Sequence, residues 1–301
     1  MGSDLFDARP DLLGDHANDI LGFDLRDLCL NGPDEELTRT EHAQPALFAL
    51  SHALFEELDR ALPSPPSGLA GHSLGEYNAL AASGALDFHT GLAIVARRGK
   101  AMAAAADIEP SGMAALIGAN LDMARRVSDA RNELGGSLRV ANVNTPTQIV
   151  VAGGSEDIDW LTENSSEFGV RRAIPLKVAG AFHTVFMEPA RAEVEAAFAE
   201  ASLDAPSSPV WSNTTARPHQ PGDIAAIMAR QVVEPVLFSD SLIDMRDTGI
   251  QTFVHVGPGD VTAGLVRKTL DDVETHVVSS LADIPAVAGA LGTIGAPEES
   301  L

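Results

Sequence analysis

Residues 71–77 read GHSLGEY, a serine at the centre of a Gly-x-Ser-x-Gly frame with a histidine beside it. A serine hydroxyl is a weak nucleophile at neutral pH. It attacks an acyl carbon when a base takes its proton and fixed N–H groups meet the developing oxyanion. The frame suits that chemistry if the serine sits on a sharp strand-to-helix turn, where glycines let neighbouring backbone approach and the hydroxyl stands at a helix N-terminus. The flanks agree: an apolar strand through LAGH leads into Ser73, and helix-compatible LGEYNALAAS follows, with Gly84 as its stop. A plain helix-capping serine is the competing reading of the same residues.

The base must come from nine histidines, which pattern alone does not separate. His72 should point away from Ser73 along the strand. His89 and His219 sit in polar, loop-like stretches and read as solvated surface. His183 lies in GAFHT, between a strand and a helix from about Val185, at a junction where a cleft can form. It is favoured over His255.

Around these residues the chain alternates short buried strands with helices, and its order changes after Pro110. MAALIG (113–118) reads as a strand, and LDMARRVSDARNEL (121–134) as an amphipathic helix stopped by Gly135-Gly136. LRVANV and QIVVAG pair around Asn144-Thr145-Pro146. A helix capped by Ser155 then runs to about Phe168, before the strand RRAIPLKV (171–178). The order βαββαβ is the ferredoxin-like plan, a compact unit of its own. Outside it, DFHTGLAIVARRGKAMAAAA is a long helix capped by Asp87. PVWSN and TFVHVG are strands, the second followed by a helix from Asp260. The expected organisation is an α/β body from residues 1–108 and 179–301, with a small subdomain at 109–178 inserted into it.

Composition bounds what this framework can do. The chain has 301 residues and 45% apolar content, enough for a substantial core. Twenty Lys and Arg against 43 Asp and Glu give a net charge of −23. That argues against nucleic acid as a partner, since phosphate neutralisation needs clustered cations. An acidic substrate or partner would be repelled unless a local basic patch redirects the field. The single cysteine, Cys29, allows no internal disulfide and no cysteine metal cluster, and reads as a core residue in a reducing cytoplasm. No run of 18 apolar residues appears, and MGSDLFDARPDLLG lacks the basic and apolar regions of an export signal. The expectation is a cytoplasmic monomer without a membrane span, a metal or a cofactor.

GHSLGEY, ALDFHTGLAIVARRGKAM, ANVNTPTQIVVAG, GAFH and VGPG occur here in one order. Together they resemble malonyl-CoA:acyl-carrier-protein transacylases and the related acyltransferases of polyketide synthases, from LFDARPDLL to GLVRKTL. That family joins a hydrolase-like α/β body to an inserted ferredoxin-like subdomain. The resemblance implies that Ser73 carries a malonyl ester, taken from malonyl-CoA and handed to the phosphopantetheine thiol of an acyl carrier protein. It implies that His183 is base and then acid, oriented by the backbone carbonyl of Gln231, and that Leu74 offers its N–H to the oxyanion. Arg98 would pair with the malonyl carboxylate, for which a guanidinium fork is suited, while Arg97 faces elsewhere. Phe182, in Ala-Phe-His, would leave no room for an α-methyl group. The family usually opens with a strand and a Gly-Gln-Gly-Ser-Gln phrase whose glutamine assists the oxyanion. This sequence begins about where that phrase would end, so the 301 residues alone are expected to transfer poorly. An acyl hydrolase using the same Ser–His pair, and an inactive scaffold, are the alternative functions.

Overall fold

The structure, a computed structural model, describes residues 1–294. Asp87 shows how sequence sets an element here. Its extended backbone stops one segment, and its carboxylate accepts from the Thr90 N–H at 3.0 Å, opening the helix Phe88–Ala106. That helix buries Leu92, Val95, Arg98 and Met102 along one side and packs against the helix Thr40–Asp59. Five short helices between Ser3 and Leu37, unread in the sequence, precede it. Buried Arg9 ties them to the long helix, its Nη2 lying 2.6 Å from both Asp11 and Glu56.

Four strands, β1 (Ser111–Ile117), β2 (Arg139–Thr145), β3 (Gln148–Gly154) and β4 (Arg172–Pro175), form one antiparallel sheet in the order β2-β3-β1-β4. With the helices Leu121–Glu133 and Ser155–Asn164 between them, this is the ferredoxin-like arrangement. Alternate residues bury on opposite faces. Ala114, Leu116, Ile149 and Val151 pack toward the two helices, whereas Met113, Ala115, Val150 and Ala152 pack toward Ala181, Phe182 and Phe186. Burial on both faces explains why these strands read as continuous apolar runs.

Some expected boundaries shift. The last strand is four residues long rather than eight; the Leu176 N–H still donates to the Met113 carbonyl at 2.9 Å, and the chain leaves the sheet after it. The second helix is capped at Gly154, not Ser155. It ends at Asn164, where a 3₁₀ turn, Ser165–Phe168, takes over. PVWSN forms no named strand: Leu69 bridges Val210 in parallel, and Trp211 bridges Pro218. Elsewhere β5 (Thr252–Val256) runs parallel to β6 (Glu274–Val278), with the helix Val261–Thr269 joining them. The fold is α/β, with its largest apolar cluster in the helical layers around Phe48, Tyr77, Leu80 and Leu92. Among the described residues, no helix is long and apolar enough to cross a membrane.

Candidate active site

Ser73 stands just ahead of the helix Gly75–Ala82, in a left-handed backbone conformation at φ 50°. A side-chain-bearing residue adopts that region at a cost, so its surroundings must hold it. Two remote groups do so. The Ser73 N–H donates to Asn213 Oδ1 at 2.7 Å, and its carbonyl accepts from Gln231 Nε2 at 2.8 Å. Gly71 supplies the tight turn: a Cβ there would lie 1.9 Å from the Gly75 carbonyl carbon. Gly75 differs, since a Cβ there meets nothing within 4 Å, and it faces open space. Leu74 precedes the first helical residue, so its N–H belongs to the unsatisfied donors of a helix start.

His183 reaches the same serine from the segment after β4. Its Nε2 lies 2.8 Å from Ser73 Oγ, and its Nδ1 lies 2.8 Å from the Gln231 carbonyl oxygen. A carbonyl only accepts, so Nδ1 carries the proton and the Nε2 lone pair faces the hydroxyl. His183 too is left-handed, at φ 60°. Burial, followed by the nearby Arg98 charge, pushes its imidazole down to about 3, opposed by the Gln231 carbonyl. The ring is therefore neutral at physiological pH, the state a general base requires.

Arg98 is 1% exposed and donates from Nη2 to Ser73 Oγ at 3.0 Å and to Gln231 Oε1 at 3.1 Å. Its Nη1 donates to Gln44 Oε1, and its guanidinium lies 5.2 Å from the Tyr77 ring centroid. Its Nε has no partner although buried. These neighbours are uncharged, and desolvation makes such a site receptive to an anion. Arg97, one residue earlier, turns outward to Glu193 at 2.7 Å and Glu200 at 2.8 Å. Phe182 is half-buried and touches both the main cluster and the lower face of the four-stranded sheet.

The structure thus brings Ser73, His183, Arg98 and Gln231 into one hydrogen-bonded group, with Leu74 and Phe182 adjoining Ser73 and His183 in the chain. His255 is elsewhere, bonded to Thr262 Oγ1 and to the Gly257 carbonyl at 3.2 Å. His72 donates to Asn144 Oδ1 at 2.7 Å. Two expectations are corrected. His219 is not solvated: its side chain is fully buried, with Nε2 2.6 Å from Glu76 Oε1. His89 lies in the first turn of the helix Phe88–Ala106, half-buried, its ring 4.3 Å from that of His16. Glu76, Asn213 and Gln44 were missed, since each earns its place through partners far away in sequence. Glu76 gave one signal, a carboxylate three residues after the serine in a helix otherwise apolar but for Asn78.

A family model described as the acyl transferase domain matches residues 1–288. The malonyl CoA-acyl carrier protein transacylase of Bacillus subtilis is 36% identical over 282 residues, covering 93% of this chain and 89% of that protein. The polyketide biosynthesis protein ThaF of Burkholderia thailandensis is 36% identical over 303 residues, 99% of this chain; the chain spans 24% of that protein's length. The crystal structure of MCAT from Streptococcus pneumoniae superposes with a TM-score of 0.89 at 38% identity, covering 97% of this chain and 95% of that one. With an elbow serine and a buried histidine and arginine meeting at its hydroxyl, and with this likeness over almost its whole length, the chain belongs to the acyl transferase family.

Proposed function

We propose that the protein is an acyltransferase that moves a malonyl group from malonyl-CoA to the phosphopantetheine thiol of an acyl carrier protein, through an ester on Ser73. The observation that carries this reading is the meeting of two side chains, His183 and Arg98, at one serine oxygen. Ser73 Oγ lies 2.8 Å from His183 Nε2 and 3.0 Å from Arg98 Nη2. His183 Nε2 takes the hydroxyl proton as Oγ attacks the thioester carbonyl, and the Leu74 N–H meets the oxyanion. The carbon–sulfur bond breaks, and the CoA sulfur leaves with the proton from Nε2. In the second half-reaction the carrier thiol gives its proton to Nε2, its sulfur attacks the Ser73 ester, and Oγ leaves with that proton. The Gln231 carbonyl holds Nδ1–H throughout and steadies the imidazolium.

Arg98 supplies the choice of acyl group. In the free protein it rests on Ser73 Oγ, and a carboxylate at the far end of the acyl chain offers it a stronger, charge-assisted partner. Phe182 limits the space beside that chain. On this reading the site lies between the α/β body and the inserted sheet unit (109–178), whose lower face packs against Ala181, Phe182 and Phe186. A single chain holds all these groups, and a reaction that needs a free thiol suits a reducing compartment, so we place the protein in the cytoplasm as a monomer. The names of its relatives support both the donor and the carrier, two of them in polyketide biosynthesis; we place the reaction in fatty-acid or polyketide synthesis.

The test is single-turnover incubation with malonyl-CoA, with and without carrier protein. The expected result is a malonyl ester on Ser73, absent in Ser73→Ala, that passes to the carrier. Free malonate formed in preference to malonyl-carrier would mean a hydrolase, and no ester at all would overturn the reading. In Arg98→Ala, malonyl transfer should fall by about 10-fold to 100-fold, the worth of a charged hydrogen bond of about 1.5–3 kcal/mol. Acetyl-CoA, which has no such carboxylate, should lose little.

A further inference from the structure

Beneath the serine lies a buried network of polar side chains, joined to the site through Gln231, that takes no part in the proton transfers of the reaction above. Glu76, Asn213, His219 and Gln231 are all shielded from solvent, and they come from three segments of the chain. Glu76 is at their centre. Its Oε1 faces His219 Nε2 at 2.6 Å. Its Oε2 accepts from Gln231 Nε2 at 2.7 Å and from the Asn213 N–H at 3.1 Å. A carboxylate is acceptor-only, and here it meets three N–H donors at once.

Those donors are not incidental, because the residues that supply them hold the site. Asn213 Oδ1 fixes the Ser73 N–H, and its Nδ2 fixes the Gly71 carbonyl at 2.7 Å, so one side chain clamps the turn at both ends. Gln231 fixes the Ser73 carbonyl with Nε2, Arg98 with Oε1, and His183 with its backbone oxygen. An amide side chain can be turned over; the carboxylate decides which way Gln231 faces. With the amide reversed, its NH₂ would oppose the Arg98 guanidinium and its oxygen would oppose Glu76.

We infer that Glu76, itself locked by His219, is a positioning residue that sets the orientation of Gln231 and Asn213, and so holds the strained serine and the acid-reading arginine in register. The inference rests on Ser73 being the nucleophile of the proposed reaction. The Glu76 charge also acts on Arg98 through the intervening amide: Arg98 Nη2 donates to Gln231 Oε1, and Gln231 Nε2 donates to Glu76 Oε2. This polarised chain partly offsets the charge of a guanidinium that has left water.

The experiment uses the full chain and two reporters, labelling of Ser73 by an alkyl fluorophosphonate and the ratio of malonyl-CoA to acetyl-CoA acylation. Both are read at a temperature where circular dichroism shows each variant folded. Glu76→Gln removes the charge and replaces one acceptor by an NH₂, which faces either a donor or a His219 Nε2 turned into an acceptor. It should slow fluorophosphonate labelling by about 10-fold to 100-fold, the scale of a small misplacement at a reacting group, and should lower the malonyl-to-acetyl ratio. His219→Gln keeps an N–H where Nε2 stood and should stay within about threefold of the parent, whereas His219→Leu should fall with Glu76→Gln. Should Glu76→Gln fail to fold, the His219 pair decides alone. Folded Glu76→Gln or His219→Leu labelled at the parent rate would overturn the inference, as would equal loss in both His219 variants. A parent that is labelled by the fluorophosphonate yet takes no malonyl would refute the proposed donor while leaving the comparison among variants valid.

Discussion

His183 is a base kept from solvent beside a guanidinium, and its titration follows from that setting. Burial and the Arg98 charge hold it at about 3, against 6.5 for a free imidazole. Acylation of Ser73 by malonyl-CoA should therefore show a level kcat/KM between about pH 5 and pH 8, with no acid limb near the ordinary histidine value. A limb at that value in the pH–rate profile would mean that the imidazole is solvated in the reacting enzyme. The same shift bears on folding with a definite sign. As pH falls below 6.5 the unfolded chain protonates this histidine, while the folded chain does not until about 3. The unfolded state then binds more protons, and this group's contribution to stability declines across that window.

At the scale of elements, the turn before the helix Gly75–Ala82 is held by contacts of opposite kinds at its two glycines. A Cβ on Gly71 would sit within 2.0 Å of the Gly75 carbonyl group, so backbone must move. Gly71→Ala should cost about 3 kcal/mol of stability in urea titration, the upper end for overpacking. Gly75→Ala, which meets open space, should be neutral or gain up to about 1 kcal/mol, since alanine is the better helix former. Equal losses would mean that the turn relaxes more freely than its contacts indicate. The helices and the four-stranded unit were legible in the sequence because their signals are local: Asp87 as a cap, Gly135-Gly136 as a stop, apolar runs broken by turns. Ser73 was legible for the same reason, its frame being five residues long. Arg98, Leu74, Phe182 and Gln231 were named through a family resemblance, since nothing near an arginine in RRGKAM says that it will be buried. His219 was misread because a loop-like string of Arg, Pro, His and Gln gives no hint of Glu76, 143 residues away.

The whole molecule carries a net charge of −23, yet coenzyme A and the phosphopantetheine arm of the proposed carrier are themselves anionic through their phosphates. Arg171, Arg172, Lys177, Arg267 and Lys268 are all exposed, and docking must rely on local cations of this kind. Long-range repulsion is screened within about 8 Å at physiological ionic strength. Raising salt moderately should speed transfer to the carrier or leave it nearly unchanged. A steep fall in kcat/KM with salt would show that the basic residues govern the encounter. The two parts of the chain are also joined by backbone. The Val143 N–H donates to the Val236 carbonyl at 2.8 Å, and the Val236 N–H to the Ala141 carbonyl at 2.9 Å, so the outer edge of β2 is covered by the body rather than left open.

The hydrogen bonds that hold Ser73 come from residues far ahead of it in synthesis. His183 lies 110 residues further on, Asn213 lies 140, and Gln231 lies 158. While the chain is still emerging from the ribosome, GHSLGEY is an ordinary peptide with an ordinary alcohol, because its base and both backbone clamps have not yet been made. Reactivity at this serine is thus withheld until translation has passed Gln231 and the chain has closed. If the proposed reaction holds, a polypeptide cut short before His183 should show no reactive Ser73, since the base and both clamps lie beyond the cut.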